Sequence, residues 1–397
     1  MNTKLLSTLK DRGFVYQTTD EPTIDHMFEN EKVTVYQGFD ATGDSLHVGH
    51  LIGIMMLRRL EKAGHQPIVL LGGATTLIGD PSDKEKERPL LDKDTIQKNL
   101  ESLEKTYRIY LDNPIIVNNA DWIKSLNYID FLREIGRYFS INRMIGFEFV
   151  KNRLDNNKPI SFLEFNYMIL QGYDFYHLFK NHNCKLQIGG SEQWGNIING
   201  VELIHKIAGK DAYGLTIPLL TTSSGTKMGK TGEGKAIWLN ADKTSPYDFW
   251  QYFRNAHDKD VEKFLKIFTE LPLDQIAVIM KGNINEAKKT LADEVTTLLH
   301  GADVLPGIHK TVEQVFENKS GNLDSLPVLK VLHEKLLDTL VENELYASRS
   351  LAKNGISSGA VKINDEKITD IAATVKWEKD MILTVGRKHH YRIVSPS

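Results

Sequence analysis

The first part of this sequence predicts an α/β fold on a parallel sheet, followed by an all-helical region and a small α+β tail. Three observations carry that expectation. Apolar runs (Val33-Thr34-Val35, Ile68-Val69-Leu70-Leu71, Ile115-Ile116-Val117 and residues 185–188) alternate with helical periodicities, and strand, helix, strand at this spacing is a βαβ unit that implies parallel pairing. From Thr244-Ser245-Pro246 to about residue 316 the pattern is helical, with short breaks at Pro272, Gly282 and Gly301. The tail then reads as two short helices and a strand–turn–strand at residues 360–368.

Composition bounds the class. The chain has 397 residues, 41% hydrophobic and 25% charged, enough for two or three domains with real cores. Its formal charge of −3 announces no global basic field, so any RNA-binding surface must be local. Cys184 is the single cysteine, which excludes an internal disulfide and fits a reducing compartment. The N-terminus lacks the apolar core of a signal peptide, and no apolar run approaches membrane-spanning length. A cytoplasmic protein with no membrane association is expected.

Residues 1–30 read as a polar helix and a loop outside the sheet. The first strand leads into Tyr36-Gln-Gly-Phe-Asp-Ala-Thr-Gly-Asp-Ser-Leu-His-Val-Gly-His50. Gly38 and Gly43 mark a turn, and Asp44 or Ser45 is placed to cap a helix over 46–63. Strand, glycine turn and helix N-terminus is where ligands bind in open α/β sheets, and such helix ends attract phosphate. His47 and His50, three apart in the first turn, would share one face. Their N–H groups can bind charge on a phosphoryl centre without moving a proton. The other reading is a pair of ordinary helix histidines, or one metal ligand, although no Cys/His cluster supplies further ligands at a recognisable spacing.

The second strand ends in Gly72-Gly73 and continues to Gly79-Asp80-Pro81. Residues 82–88 are densely charged, either a solvated loop or a place where Lys84 and Arg88 meet phosphate. A helix over 94–112 precedes the third strand, which ends in Asn118-Asn119, and helical periodicity returns at 128–139. Residues 142–159 are polar and mixed. In the helix predicted for 161–180, Tyr167, Gln171 and Asp174 stand at i, i+4 and i+7 on one face, which either meets water or lines a pocket. The fourth strand, 185–188, ends in Gly189-Gly190-Ser-Glu192-Gln193 before a helix to about 207, making a second ligand-facing rim.

Residues 221–234 contain four glycines and carry Lys227 and Lys230. Such a loop is either a plain flexible linker or a swinging pair of cations that neutralise a triphosphate. A phosphate-binding Gly-x-x-x-x-Gly-Lys-Thr motif fails, because position 224 is serine and Gly232-Glu233-Gly234 stands where its helix would begin. Ser245 and Pro246 form an N-cap and first helical position. Residues 317–325 read as a linker before Pro327. From Tyr346 onward there are nine Lys/Arg against five Asp/Glu, a local excess of about +4.

These motifs resemble a known family. Gly38-Phe-Asp-Ala-Thr-Gly-Asp-Ser-Leu-His47-Val-Gly-His50 is similar to the His-Ile-Gly-His signature of class I aminoacyl-tRNA synthetases, with the Gly-Phe-Asp-x-Thr prefix of the tyrosine-specific bacterial branch. Lys227-Met-Gly-Lys230-Thr231 resembles their Lys-Met-Ser-Lys-Ser loop, and Tyr167-x-x-x-Gln171-x-Tyr-Asp174 their tyrosine-binding helix. Ser348-Arg349-Ser350 and Val361-Lys-Ile-Asn364-Asp-Glu-Lys-Ile resemble the αL RNA-binding module, with Asn-Asp where that module more often has Asn-Gly; a charged dimerisation or packing unit is the other reading of the tail.

The resemblance implies a Rossmann-like class I catalytic domain at 1–240, an α-helical anticodon-stem domain at 241–320, a linker at 321–331 and an αL module at 332–397. It implies tyrosine activation with ATP, magnesium accompanying the nucleotide, and transfer to the terminal ribose of tRNA(Tyr) by a cytoplasmic homodimer. His47, His50, Thr42, Lys227, Lys230 and Thr231 would serve catalysis. Tyr36, Asp80, Tyr167, Gln171, Asp174 and Gln187 would bind tyrosine, with Tyr36 and Asp174 on its hydroxyl and Asp80, Tyr167 and Gln171 on its ammonium. Gly38, Asp40, Gly49, Gly190, Glu192, Lys84, Arg88 and Lys230 would bind ATP. The family usually has Asp where this chain has Glu192. The imidazole pair and the ammonium pair are expected to converge on one triphosphate from opposite rims of the sheet. Three rivals remain: a tryptophan-specific relative, a non-catalytic RNA-binding factor on a synthetase scaffold, and a small-molecule nucleotidyltransferase without tRNA.

Overall fold

A computed structural model describes residues 4–82, 91–223, 225–229, 236–317, 326–331, 333–364, 366–386 and 389–394. The chain divides into two compact units, one of residues 1–46 and 50–220, the other of residues 47–49 and 221–397.

The first unit is built on a six-stranded sheet: β1 (Gln17–Thr18), β2 (Thr34–Phe39), β3 (Gln66–Leu71), β4 (Ile115–Asn118), β5 (Cys184–Gly190) and β6 (Tyr213–Ile217), in the order β1-β6-β5-β2-β3-β4. β2 to β6 are mutually parallel, and β1 joins β6 antiparallel. The near-continuous burial of Ile68, Val69, Leu70 and Leu71 is what a parallel strand covered by helices on both faces requires. The helix Leu51–Lys62 carries β2 to β3 and buries eight of its residues, including Leu51, Ile54, Met55 and Leu57.

The strand order reverses between β2 and β5. β2 continues outward to β3, and β5 continues the other way to β6. In an open parallel sheet the crevice beyond the strand ends at such a reversal is the ligand position. On one face of β2, Tyr36 joins Ile68, Leu70, Phe175, Leu178 and Ile204 in a single buried cluster, so this face looks onto the helix Phe162–His182. That helix starts with a capping box: Ser161 Oγ accepts from the Glu164 N–H at 3.2 Å, and Glu164 Oε2 accepts from the Ser161 N–H at 3.0 Å.

Several expectations change. The helix placed over 46–63 begins at Leu51, after a single 3₁₀ turn, Val48–His50. Neither Asp44 nor Ser45 caps it; the Ser45 hydroxyl instead donates to the Leu46 carbonyl at 3.0 Å. His47 and His50 therefore do not share the first turn of an α-helix. The N-terminal stretch contributes β1 to the sheet in addition to its helices Leu5–Asp11 and Glu21–Asn30. Residues 142–159, read only as polar and mixed, contain most of one short helix, Ile141–Ile145, and all of another, Glu148–Asp155.

In the second unit, Ser245 Oγ accepts from the Asp248 N–H at 3.1 Å and Pro246 opens the helix Pro246–Arg254, as expected. Helices Asp258–Phe268, Leu273–Lys281, Ile284–His300 and Leu305–Glu317 follow, with Pro272, Gly282 and Gly301 at their ends. The C-terminal part is a five-stranded sheet of β7 (Val328–Lys330), β8 (Val361–Ile363), β9 (Glu366–Ile368), β10 (Ile382–Val385) and β11 (His389–Val394), in the order β7-β11-β10-β8-β9. Its own core joins Leu336, Leu340, Ala352, Ile356, Val361, Leu383 and Ile393.

In that C-terminal part, one helix, Arg349–Ser357, follows Tyr346, and its companion, Leu336–Glu342, precedes it. Asn364 sits at φ +48 in the turn between β8 and β9, a conformation asparagine tolerates well. Residues 328–330, inside the stretch expected as linker, form β7 and pair parallel with β11. Residues 318–325 lie outside the described residues.

Candidate active site

Tyr36 on β2 and Gln187 on β5 are register partners across the reversal point. Side chains at matched positions of neighbouring strands leave the sheet on the same face. Both residues are buried, and among the described residues Tyr36 Oη and Gln187 Oε1 have no hydrogen-bond partner. The Tyr36 ring packs on Phe175, with centroids 5.2 Å apart. Burial pushes its phenol well above the usual range, and the neighbouring Asp174 adds to the shift.

Asp174, 2% exposed, projects from the helix Phe162–His182. Its Oδ2 accepts from Asn119 Nδ2 at 2.9 Å and its Oδ1 from Trp122 Nε1 at 2.7 Å. Burial raises its carboxyl to about 7, against the pull of those two hydrogen bonds. Trp122 is held flat by His177, with ring centroids 4.2 Å apart and 11° between planes.

A second carboxylate group adjoins the first. Tyr167 Oη donates to Asp40 Oδ2 at 3.1 Å, and Thr75 Oγ1 donates to Asp40 Oδ1 at 2.8 Å. Asn119 Nδ2 also reaches Thr75 Oγ1 at 2.9 Å, so one amide ties Asp40 to Asp174. Asp80 accepts from Gln193 Nε2 at 2.8 Å and from the Ser82 N–H at 2.9 Å. The Tyr167 phenol is raised first by burial and then by Asp40, Asp80 and Asp174. Three carboxylates around one phenol favour a cationic ligand group such as an ammonium. Gln171, half-buried, lies one turn beyond Tyr167 on the same helix.

The structure thus brings together Tyr36, Asp40, Asp80, Tyr167, Asp174 and Gln187. Gly38 lies within β2, and Thr42 is exposed in the loop after it. Gly190 ends β5, and a Cβ there would fall on the Glu192 carboxylate, so glycine is what lets the exposed Glu192 fold back against the backbone. Residues 83–90 and 230–235 lie outside the described residues, and with them Lys84, Arg88, Lys230 and Thr231.

In the second unit, the histidine stretch is tied to the chain that follows the lysine loop. His47 forms an antiparallel bridge with Trp238, and the Val48 N–H donates to the Ile237 carbonyl at 3.0 Å. A Cβ on Gly49 would stand 2.7 Å from the Met228 carbonyl, so only glycine fits. The Gly49 N–H donates to His47 Nδ1 at 3.0 Å. With Nδ1 as acceptor, the neutral ring carries its proton on Nε2. Lys227 is exposed at the end of a turn closed by a Thr221–Lys227 bridge. His50, half-buried, occupies the N-cap position of Leu51–Lys62 and makes no capping bond with its side chain.

Sequence reasoning missed Asn119, Trp122, Thr75, Gln193 and Ser82, which hold the three carboxylates. A signal was present for the first: a polar pair, Asn118-Asn119, directly after the apolar run of β4.

Comparison with known proteins identifies the family. Residues 28–317 match the family described as tRNA synthetases class I (W and Y), and residues 317–393 match the tyrosine–tRNA ligase SYY-like C-terminal domain. A tyrosine–tRNA ligase of Zymomonas mobilis is 48% identical over 97% of both chains, and one of Mesorhizobium japonicum is also 48% identical over 97% of both. The crystal structure of a C-terminally truncated mitochondrial tyrosyl-tRNA synthetase of Aspergillus nidulans superposes with a TM-score of 0.72 at 31% identity, covering 79% of this chain and 95% of that one.

Asp174 supplies a direct test of the pocket's electrostatics. Its folded-state value of about 7 stands above the ordinary 3.8. A raised carboxyl stabilises the fold fully below the lower value and loses that contribution as pH rises toward the higher. Asp174→Asn should therefore gain thermal stability relative to the natural chain as pH rises from about 4 to 7, with no further change above. In difference infrared spectra the carboxyl band absent from the variant should titrate near 7. A band titrating near 4, with a constant stability difference, would contradict burial as the dominant influence.

Proposed function

The chain belongs to the class I tRNA synthetases of the tryptophan and tyrosine type, and we propose that its pocket reads the tyrosine hydroxyl while its histidine and lysine segments carry the nucleotide chemistry. It is an ATP-dependent ligase that activates L-tyrosine to tyrosyl-adenylate with release of pyrophosphate, then transfers tyrosine to the terminal ribose of tRNA.

The observation that carries the specificity reading is the buried Tyr36 Oη and Gln187 Oε1, without a partner among the described residues, with Asp174 near Tyr36. A tyrosine side chain placed there donates a hydrogen bond from its hydroxyl to Asp174 and accepts one from Tyr36. Asp80, Tyr167 and Gln171 bind the α-ammonium, drawn by the carboxylates that surround Tyr167. Phenylalanine would leave the same groups buried and unpaired, an effect for which tyrosine-specific synthetases are themselves the reference example. No editing step is then required.

The substrate carboxylate attacks the α-phosphorus of ATP. It is already a nucleophile at neutral pH, so no protein base is needed, and positioning with charge stabilisation supplies the rate. His47 presents Nε2–H to phosphate oxygen. His50, Thr42, Lys227, Lys230 and Thr231 bind developing charge, with Lys84 and Arg88 on the outer phosphates. Asp40, Gly38, Gly49, Gly190 and Glu192 hold the nucleotide, Glu192 reaching the ribose with a side chain one methylene longer than the family's usual Asp. Magnesium enters as part of the substrate, on the ATP phosphates.

The C-terminal sheet module, with its local basic excess, binds tRNA(Tyr). A second copy of the chain is proposed as a partner, which would cover some of the exposed apolar side chains between residues 128 and 163: Tyr128, Ile129, Ile141 and Phe162, the last 71% exposed. A cytoplasmic location fits the single buried thiol of Cys184. Among the described residues no helix is long and apolar enough to cross a membrane.

Two experiments test the reading. Asp174→Asn should lower tyrosine-dependent ATP–pyrophosphate exchange by roughly a hundredfold while circular dichroism stays native; unchanged exchange removes Asp174 from the hydroxyl site. A chain ending at residue 326 should keep pyrophosphate exchange within about twofold and lose tRNA charging, as expected when phosphate and base contacts go with the module. Undiminished charging by that chain would show that the tail is not the RNA-binding part.

A further inference from the structure

The turn that carries Lys227 is fastened at its base by one buried carboxylate. Asp260, 3% exposed, lies in the first turn of Asp258–Phe268. Its Oδ2 accepts from the backbone N–H of Ser223 and from Ser223 Oγ, each at 2.9 Å. Lys263, one turn further along that helix, donates from Nζ to the Thr221 carbonyl at 2.5 Å and stands 3.3 Å from Asp260 Oδ1. Two residues of one helix therefore hold two backbone groups of the loop, a carbonyl at 221 and an N–H at 223.

Those two points set the rest of the turn. Thr221 bridges to Lys227, the Thr222 N–H donates to the Thr226 carbonyl at 2.9 Å, and the Gly225 N–H returns to the Thr222 carbonyl at 2.9 Å with φ +81. Past Lys227, Met228 is buried and the Gly229 carbonyl accepts from the Ile237 N–H at 3.0 Å. Lys227 is thus an exposed side chain on a backbone fixed on both sides. Asp260 is not needed to cap its own helix, because His257 Nδ1 accepts from the Lys259 N–H at 3.3 Å in that role.

We propose that Asp260, assisted by Lys263, is a positioning residue for Lys227: it holds the lysine turn in the register from which the ammonium reaches the triphosphate. A flexible lysine on an unpinned loop would have to be ordered during each turnover, and pinning the backbone in advance removes part of that cost. The inference rests on the reading of the lysine loop as nucleotide-binding.

The test is a double-mutant cycle in the full-length chain, read by ATP–pyrophosphate exchange. Asp260→Ala should lower kcat roughly tenfold, the scale of a modest misplacement of a catalytic group, with the KM for tyrosine unchanged within about twofold. Asp260→Asn, which keeps an acceptor for Ser223, should recover part of the loss. In a Lys227→Ala background, Asp260→Ala should cost nothing further. An equal loss in both backgrounds, or a rise in the tyrosine KM with kcat intact, overturns the proposal and makes Asp260 a purely structural residue. If Lys227→Ala alone leaves exchange unchanged, the reading of the loop itself falls and the proposal with it. Should Asp260→Ala fail to fold, Ser223→Ala removes one of the two bonds from an exposed position and must show the same non-additivity with Lys227→Ala.

Discussion

An unpaired polar group inside a protein costs on the order of 1–3 kcal/mol, and this fold leaves two on one face of its central strands. Tyr36 Oη and Gln187 Oε1 are buried at matched positions of β2 and β5 with no hydrogen-bond partner among the described residues. The parallel order that reverses between those strands puts them beneath the crevice where such sheets bind ligands. Asp174 stands near Tyr36, its carboxyl oxygens held in place by Asn119 and Trp122. The proposed selectivity has its physical root there: a ligand hydroxyl would give those groups the partner they lack.

The charge layout divides the labour further. Asp40, Asp80 and Asp174 around Tyr167 favour an ammonium. Phosphate requires the opposite sign, and the proposed donors are of a different kind: an imidazole whose Nδ1 accepts from the Gly49 N–H, and lysines of a glycine-rich sequence. Fixing Nδ1 matters because it dictates which ring nitrogen carries the proton, and therefore which atom can donate to an anion. Under the proposed reaction, attack by a carboxylate at neutral pH asks for such donors and for no base.

Much of the fold was legible where the signal is local. Ser245 before Pro246 predicted a cap and a first turn, and both are present. The βαβ unit from β2 to β3 followed from two apolar runs and one helical period. Residues 47–49 do meet the segment around the lysine turn, through the Val48 N–H to Ile237 bond and the close fit of Gly49 against Met228, while Lys230 lies outside the described residues and the convergence of both pairs on one triphosphate stays a proposal. Short strands were harder. β1, β6, β7, β10 and β11 are two to six residues long, and β1 and β7 pair with β6 and β11, far away in the chain. The histidine stretch misled for a related reason: its backbone bonds go to residue 237, so the helix starts later than local capping signals imply. Asn119 and Trp122 were invisible as site residues because their meaning lies in a contact more than fifty positions away, with Asp174.

The central claim is that the proposed site reads a hydroxyl through buried groups, among them Tyr36 Oη and Gln187 Oε1, which have no partner among the described residues. Its most direct test is ATP–pyrophosphate exchange by the purified chain with each of the twenty amino acids in turn. The account predicts that tyrosine alone supports rapid exchange and that phenylalanine, identical but for the hydroxyl, falls orders of magnitude behind. Comparable exchange with phenylalanine, or a preference for tryptophan, would contradict it.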